Sequence, residues 1–107
     1  MPEAIRNNRI YTIAEIRNLV TPIAARYGLD AMYLFGSYSR GEATSDSDID
    51  LHIEKGQAQS AMALASLYCD LEDALQKKLD VLTGSMMTQA FRNKIRPEEV
   101  LLYARPA

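Results

Sequence analysis

Residues Asp48-Ile49-Asp50-Leu51-His52-Ile53 alternate strictly between polar and apolar side chains, and a period of two is the signature of a strand with one buried face. Asp48, Asp50 and His52 then share one face, and Ile49, Leu51 and Ile53 the other. The two Asp Cα atoms fall about 6 to 7 Å apart along such a strand. Two carboxylates held that close repel each other and favour a counter-ion. A hard divalent cation that takes oxygen ligands, Mg²⁺ above all, meets that need. A solvated polar strand face is the plainer reading of the same pattern.

What lies upstream weighs against the plainer reading. Ala31-Met32-Tyr33-Leu34-Phe35 is an apolar run of strand length, and Gly36-Ser37 interrupts it where backbone must come close to a ligand. Glycine allows dihedrals and approach distances that a Cβ would block. The N–H groups of the turn and the Ser37 hydroxyl can then face phosphate oxygens, and the Arg40 guanidinium can bridge two of them. A Gly-Ser pair alone is an ordinary turn. Ten residues before an Asp-x-Asp strand, it points to nucleotide chemistry.

The rest of the chain supplies a frame for these parts. Thr12-Ile13-Ala14-Glu15 has the capping-box pattern, and Ile13, Ile16, Val20, Ile23 and Tyr27 recur at helical spacing up to Gly28, a natural helix stop. Pro22 inside that pattern predicts a kink or a break. A second, longest helix is expected from Gln57 to Lys78, with a stripe through Ala61, Leu64, Ala65, Tyr68, Leu71 and Leu75. Leu79-Asp80-Val81-Leu82-Thr83 reads as a strand laid beside Asp48–Ile53, ending in a Gly84-Ser85 turn. Met86 to Ile95 reads as a helix, and Glu98 to Tyr103 as a short helical or extended apolar end. The expected architecture is a small mixed sheet with helices on one face and an open, polar opposite face.

Composition narrows the function. A chain of 107 residues makes one domain, 1–107, without a second domain to hold an acceptor. Lys+Arg total 12 against Asp+Glu 14, a net charge of −2, so nothing draws the chain to nucleic acid or anionic membrane. No leader-like or membrane-spanning run is evident, and a cytoplasmic protein is expected. The single Cys69 excludes an intrachain disulfide and is expected as a small buried or half-buried helix residue.

The Gly-Ser turn, the ten-residue spacing and the Asp-x-Asp strand together resemble the polymerase-β-like nucleotidyltransferase superfamily. Leu34-Phe35-Gly36-Ser37-Tyr38-Ser39-Arg40-Gly41-Glu42-Ala43 is similar to its minimal, MNT-type branch, over nearly the whole chain. The resemblance implies an α+β fold of that superfamily, with Gly36 and Ser37 holding nucleotide phosphates and Arg40 beside them. It also implies Asp48 and Asp50 as ligands of two catalytic Mg²⁺ ions, and a third carboxylate from a later strand, for which Asp80 is the candidate. His52 is expected as a peripheral polar residue, because two-metal phosphoryl chemistry needs no imidazole. Larger members of the superfamily resemble this module plus a helical domain, so acceptor specificity here is expected from a partner. Minimal members look like antitoxins that neutralise HEPN ribonuclease toxins by transferring AMP from ATP to a toxin tyrosine. Two alternatives stay open: neutralisation by occlusion, with a vestigial nucleotide site, and transfer to a small molecule or an RNA end.

Overall fold

A computed structural model of the protein describes residues 7–107. Helix α1 (Ile13–Arg26) opens with the expected capping box. Thr12 Oγ1 accepts from the Glu15 N–H at 3.0 Å, and Glu15 accepts from the Thr12 N–H at 2.8 Å. Its buried stripe is Ile16, Val20, Ile23 and Ala24, and the chain leaves it through Gly28 at φ +67°. The helix does not break at Pro22. A proline removes only one donor, and burial of the stripe on both sides of it outweighs that loss.

Four strands follow in one sheet: β1 (Ala31–Phe35), β2 (Ile49–Glu54), β3 (Leu79–Thr83) and β4 (Val100–Ala104), in spatial order β3-β2-β1-β4. Strands β2 and β3 are parallel, and β1 is antiparallel to both β2 and β4. The sheet is therefore mixed, as the sequence predicts. The C-terminal apolar end resolves as the edge strand β4, giving the sheet a fourth strand. Helix α2 (Ala61–Leu75) makes the crossover that a parallel pair requires.

Helix α2 is shorter than expected at both ends. Ser60 Oγ accepts from the Ala63 N–H at 3.0 Å and starts it, and Gln76 at φ 53° stops it. The buried line is Leu67, Leu71 and Leu75, whereas Ala61 and Ala65 of the expected stripe are exposed. Cys69 is exposed too, not buried. It lies about 200° around the helix from Leu67, on the outer side.

The main core fills the space between one sheet face and helices α1 and α2. Met32, Leu34, Ile49, Leu51 and Ile53 come from the strands, meeting Ile16 and Val20 of α1 and Leu67 and Leu71 of α2. These side chains are the apolar half of the alternation. The polar half points the other way. There the short helix α3 (Gln89–Ile95), capped by Thr88, packs Phe91 and Ile95 with Met87 onto Phe35 and Leu82. The long helices thus occupy one face, and α3 partly roofs the other, dividing it into two recesses.

Candidate active site

The turn after β1 is tight because Gly36 makes it so. Its carbonyl accepts from the Ser39 and Arg40 N–H groups at 3.1 and 3.2 Å and from the Ser39 hydroxyl at 2.8 Å. Glu42 N–H then bonds the Ser37 carbonyl at 2.9 Å. Gly36 sits at φ +79°, and a Cβ there would overlap the Asp50 carboxylate. Phe35 is the register partner of Asp50 across the β1–β2 ladder, so the turn lands directly beside that carboxylate.

The three predicted carboxylates come from adjoining segments. Asp48 immediately precedes β2, Asp50 is in β2, and Asp80 is the register partner of Asp50 in β3. Paired residues project to the same side, so Asp50 and Asp80 share the face opposite the main core. Asp50 is half-buried, and its carboxyl is pushed up to about 6, first by burial and then by the charges of Asp80 and Asp48. Among the described residues no group of three acidic, histidine or cysteine side chains forms a ready-made metal site. The donors fit Mg²⁺ in chemistry: hard oxygen anions that raise one another's proton affinity where a cation would relieve them.

Lys77 fixes the approach to Asp48. It is 3% exposed, and its Nζ donates to the carbonyls of Asn7 and Ser45, each at 2.9 Å. Burial lowers its proton affinity. The loop that delivers Asp48 is thereby tied to the end of α2.

Two residues beside the turn are not legible as site residues in the sequence. Glu98, from the helical turn Arg96–Glu98, accepts from the Gly36 N–H at 2.6 Å and from Arg40 Nη1 at 3.0 Å. Arg40 Nε also donates to Glu42 at 2.9 Å. Lys94 of α3 lines the same cavity of about 320 Å³ as Gly36, Ser37, Arg40 and Asp50. It has no ion-pair partner among the described residues. Only the fold brings α3 back over β1, so no local pattern in the sequence marks either residue.

His52 lies outside the cavity of the Gly36 turn. It is buried. Its Nδ1 lies 2.6 Å from Glu99 Oε2, and its ring stacks on Tyr33 at 5.3 Å between centroids. It faces the second recess, a cavity of about 350 Å³ that Arg92 and Arg96 also line. Its role in the geometry is to join β1, β2 and the start of β4.

Known proteins resemble this chain in sequence and fold. A Methanocaldococcus jannaschii protein provisionally named a protein adenylyltransferase is 36% identical over 88 residues, 82% of this chain and 95% of its own. A solved structure provisionally described as a minimal nucleotidyltransferase superposes with a TM-score of 0.73 at 27% identity, covering 84% of this chain and 95% of that one. A chain of the tri-AMPylated Shewanella oneidensis HEPN toxin–MNT antitoxin complex gives 0.66 at 20% identity, over 88% of this chain and 74% of that one. At that identity the likeness is one of fold. The family described as "Polymerase beta, Nucleotidyltransferase" matches residues 18–107, which takes in the turn, all three carboxylates and the roof over them: this chain belongs to the polymerase β nucleotidyltransferase family.

Proposed function

We propose that this chain, as one minimal domain, transfers AMP from ATP to a tyrosine of a partner HEPN-type toxin and so neutralises it as an antitoxin. The observation that carries the reading is the contact of the Gly36 turn with Asp50, itself paired with Asp80. The phosphate cradle and Asp50 thus border one cavity, with Asp80 in register beside Asp50 and Asp48 at the neighbouring recess beside Lys77. The relative named a protein adenylyltransferase supports AMP as the group moved, and the toxin–antitoxin complex supports the class of partner. The reading assigns the reaction to the cytoplasm, the compartment that supplies ATP.

In this mechanism the turn amides, the Ser37 hydroxyl and Arg40 hold the β- and γ-phosphates, and Lys94 offsets charge on the departing pyrophosphate. Asp48, Asp50 and Asp80 would hold Mg²⁺, which when bound supplies charge stabilisation to the entering and leaving oxygens. The tyrosine oxygen forms a bond to the α-phosphorus as the bond to the β-phosphate bridging oxygen breaks. Pyrophosphate leaves with that electron pair, and the phenolic proton passes to a carboxylate oxygen of Asp80.

The test is an intact-mass measurement. The protein is incubated with a HEPN-type toxin, Mg²⁺ and each nucleoside triphosphate in turn. Whole adenylate additions to a toxin tyrosine, with ATP alone and with loss of ribonuclease activity, are expected. An inhibited but unmodified toxin would point to occlusion, and nucleotide added to RNA would point to a nucleic-acid acceptor.

A further inference from the structure

Glu98 occupies the position that the proposed function gives to a phosphate. Its Oε2 takes the Gly36 N–H at 2.6 Å, while Arg40 Nη1 reaches both of its oxygens at 3.0 and 3.2 Å. A guanidinium nitrogen plus a turn amide is a donor set with which proteins also hold phosphate oxygens. One N–H presents one hydrogen, so Glu98 and a nucleotide phosphate compete for Gly36. Glu98 is also free to leave. It stands on a three-residue helical turn after α3, beside exposed Pro97, with a side chain 22% exposed.

We propose that Glu98 is a displaceable occupant of the phosphate cradle, which sets affinity for the nucleotide by competing with its phosphate chain for the Gly36 N–H and Arg40. The proposal rests on the nucleotide-binding reading of this cavity. Glu98 satisfies the Gly36 amide, which would otherwise stand unpaired, and shares the Arg40 guanidinium with Glu42. A triphosphate brings several anionic oxygens to replace one carboxylate, and so displaces it. A ligand without a phosphate chain neither displaces Glu98 nor gains from its removal. Glu98 thus attenuates affinity for polyphosphates and leaves affinity for nucleosides unchanged.

The experiment is calorimetric titration of the full chain, in Mg²⁺, with ATP, inorganic tripolyphosphate and adenosine. Wild type, Glu98→Gln, Glu98→Ala and Glu98→Asp are compared, with thermal melting of each as the check on folding. Exposed ion pairs of this kind set the expected gain at about two- to fivefold for ATP and tripolyphosphate in Glu98→Ala. The gain should be smaller in Glu98→Gln, which keeps a neutral acceptor, and adenosine should show none. The shorter Glu98→Asp, which keeps the charge but not the reach, should resemble Glu98→Ala and carries the test if the alanine variant does not fold. Unchanged or weaker phosphate binding in the folded variants, with wild type binding ATP normally, overturns the role of Glu98 alone. Equal gains for adenosine overturn it as well. Failure of wild type and every variant to bind either phosphate ligand overturns the nucleotide reading beneath it.

Discussion

The α-hydrogen of Gly36 that a side chain would replace points at Oδ2 of Asp50, so a Cβ on this residue would collide with that carboxylate. The turn and the acidic strand are thereby one unit. Moving either displaces the other.

Gly36→Ala therefore combines two costs. The φ of +79° is strained for alanine, a penalty of about 1–2 kcal/mol, and the methyl must push the Asp50 side chain aside. Chemical denaturation should show that modest loss of stability, while AMP transfer should fall by far more than stability does. A variant with normal turnover would separate the turn from the chemistry.

Asp48→Asn and Asp50→Asn should each abolish transfer and leave the fold intact, since each removes a charge from a repelling set. Both should still bind the partner. Circular dichroism, co-purification and intact mass read these three outcomes separately.

The metal-free protein should show an unusual pH dependence traceable to Asp50. Its folded pKa of about 6 lies above the unstrained 3.8, so its protonation favours the folded state. That contribution is complete below pH 3.8 and is lost as pH rises through 6. After allowance for partial exposure the loss is about 1–2 kcal/mol. In EDTA, urea unfolding of wild type and Asp50→Asn should differ by that much more at pH 7.5 than at pH 4, with the variant the relatively more stable at the higher pH. A constant difference would contradict the burial and crowding of Asp50.

Ser37→Ala should weaken ATP binding about two- to tenfold, the scale of one neutral hydrogen bond, because the turn amides remain. Loss of either strand carboxylate should cost more in turnover. Unchanged ATP affinity would remove Ser37 from the cradle.

Lys77→Ala should destabilise the protein by about 1–3 kcal/mol, since two carbonyls lose a buried donor. Transfer should fall even where the protein is fully folded, because the Ser45 loop leads directly to Asp48. Activity measured well below the melting temperature distinguishes this from simple unfolding.

What the sequence revealed and what it hid follow from the range of the interactions involved. The Thr12 box, the Gly28 stop and the alternation of β2 depend on neighbours a few residues apart, and each is visible in the local pattern. Asp80 lies beside β2, and its strand is legible because it is apolar and bounded by a turn. Val100 to Tyr103 carried no such bound, since an edge strand is defined by its partner β1, not by its own alternation. Glu98 and Lys94 reach the turn only through the packing of Phe91 and Ile95 on Phe35, a contact without a local signature. Cys69 is exposed because Leu67, not Ala65, begins the buried line of α2.

The parallel pairing of Asp50 with Asp80 across the α2 crossover makes assembly of the site a non-local event. Thirty residues of chain must close before the two carboxylates meet, and closure of that kind limits how fast such topologies form. Until then the newly made chain has a turn and one acidic strand but not the complete set of acidic groups. A nascent or partly unfolded chain would then be inactive without any inhibitor, so in the proposed antitoxin role the pace of its own folding would set how soon protection begins.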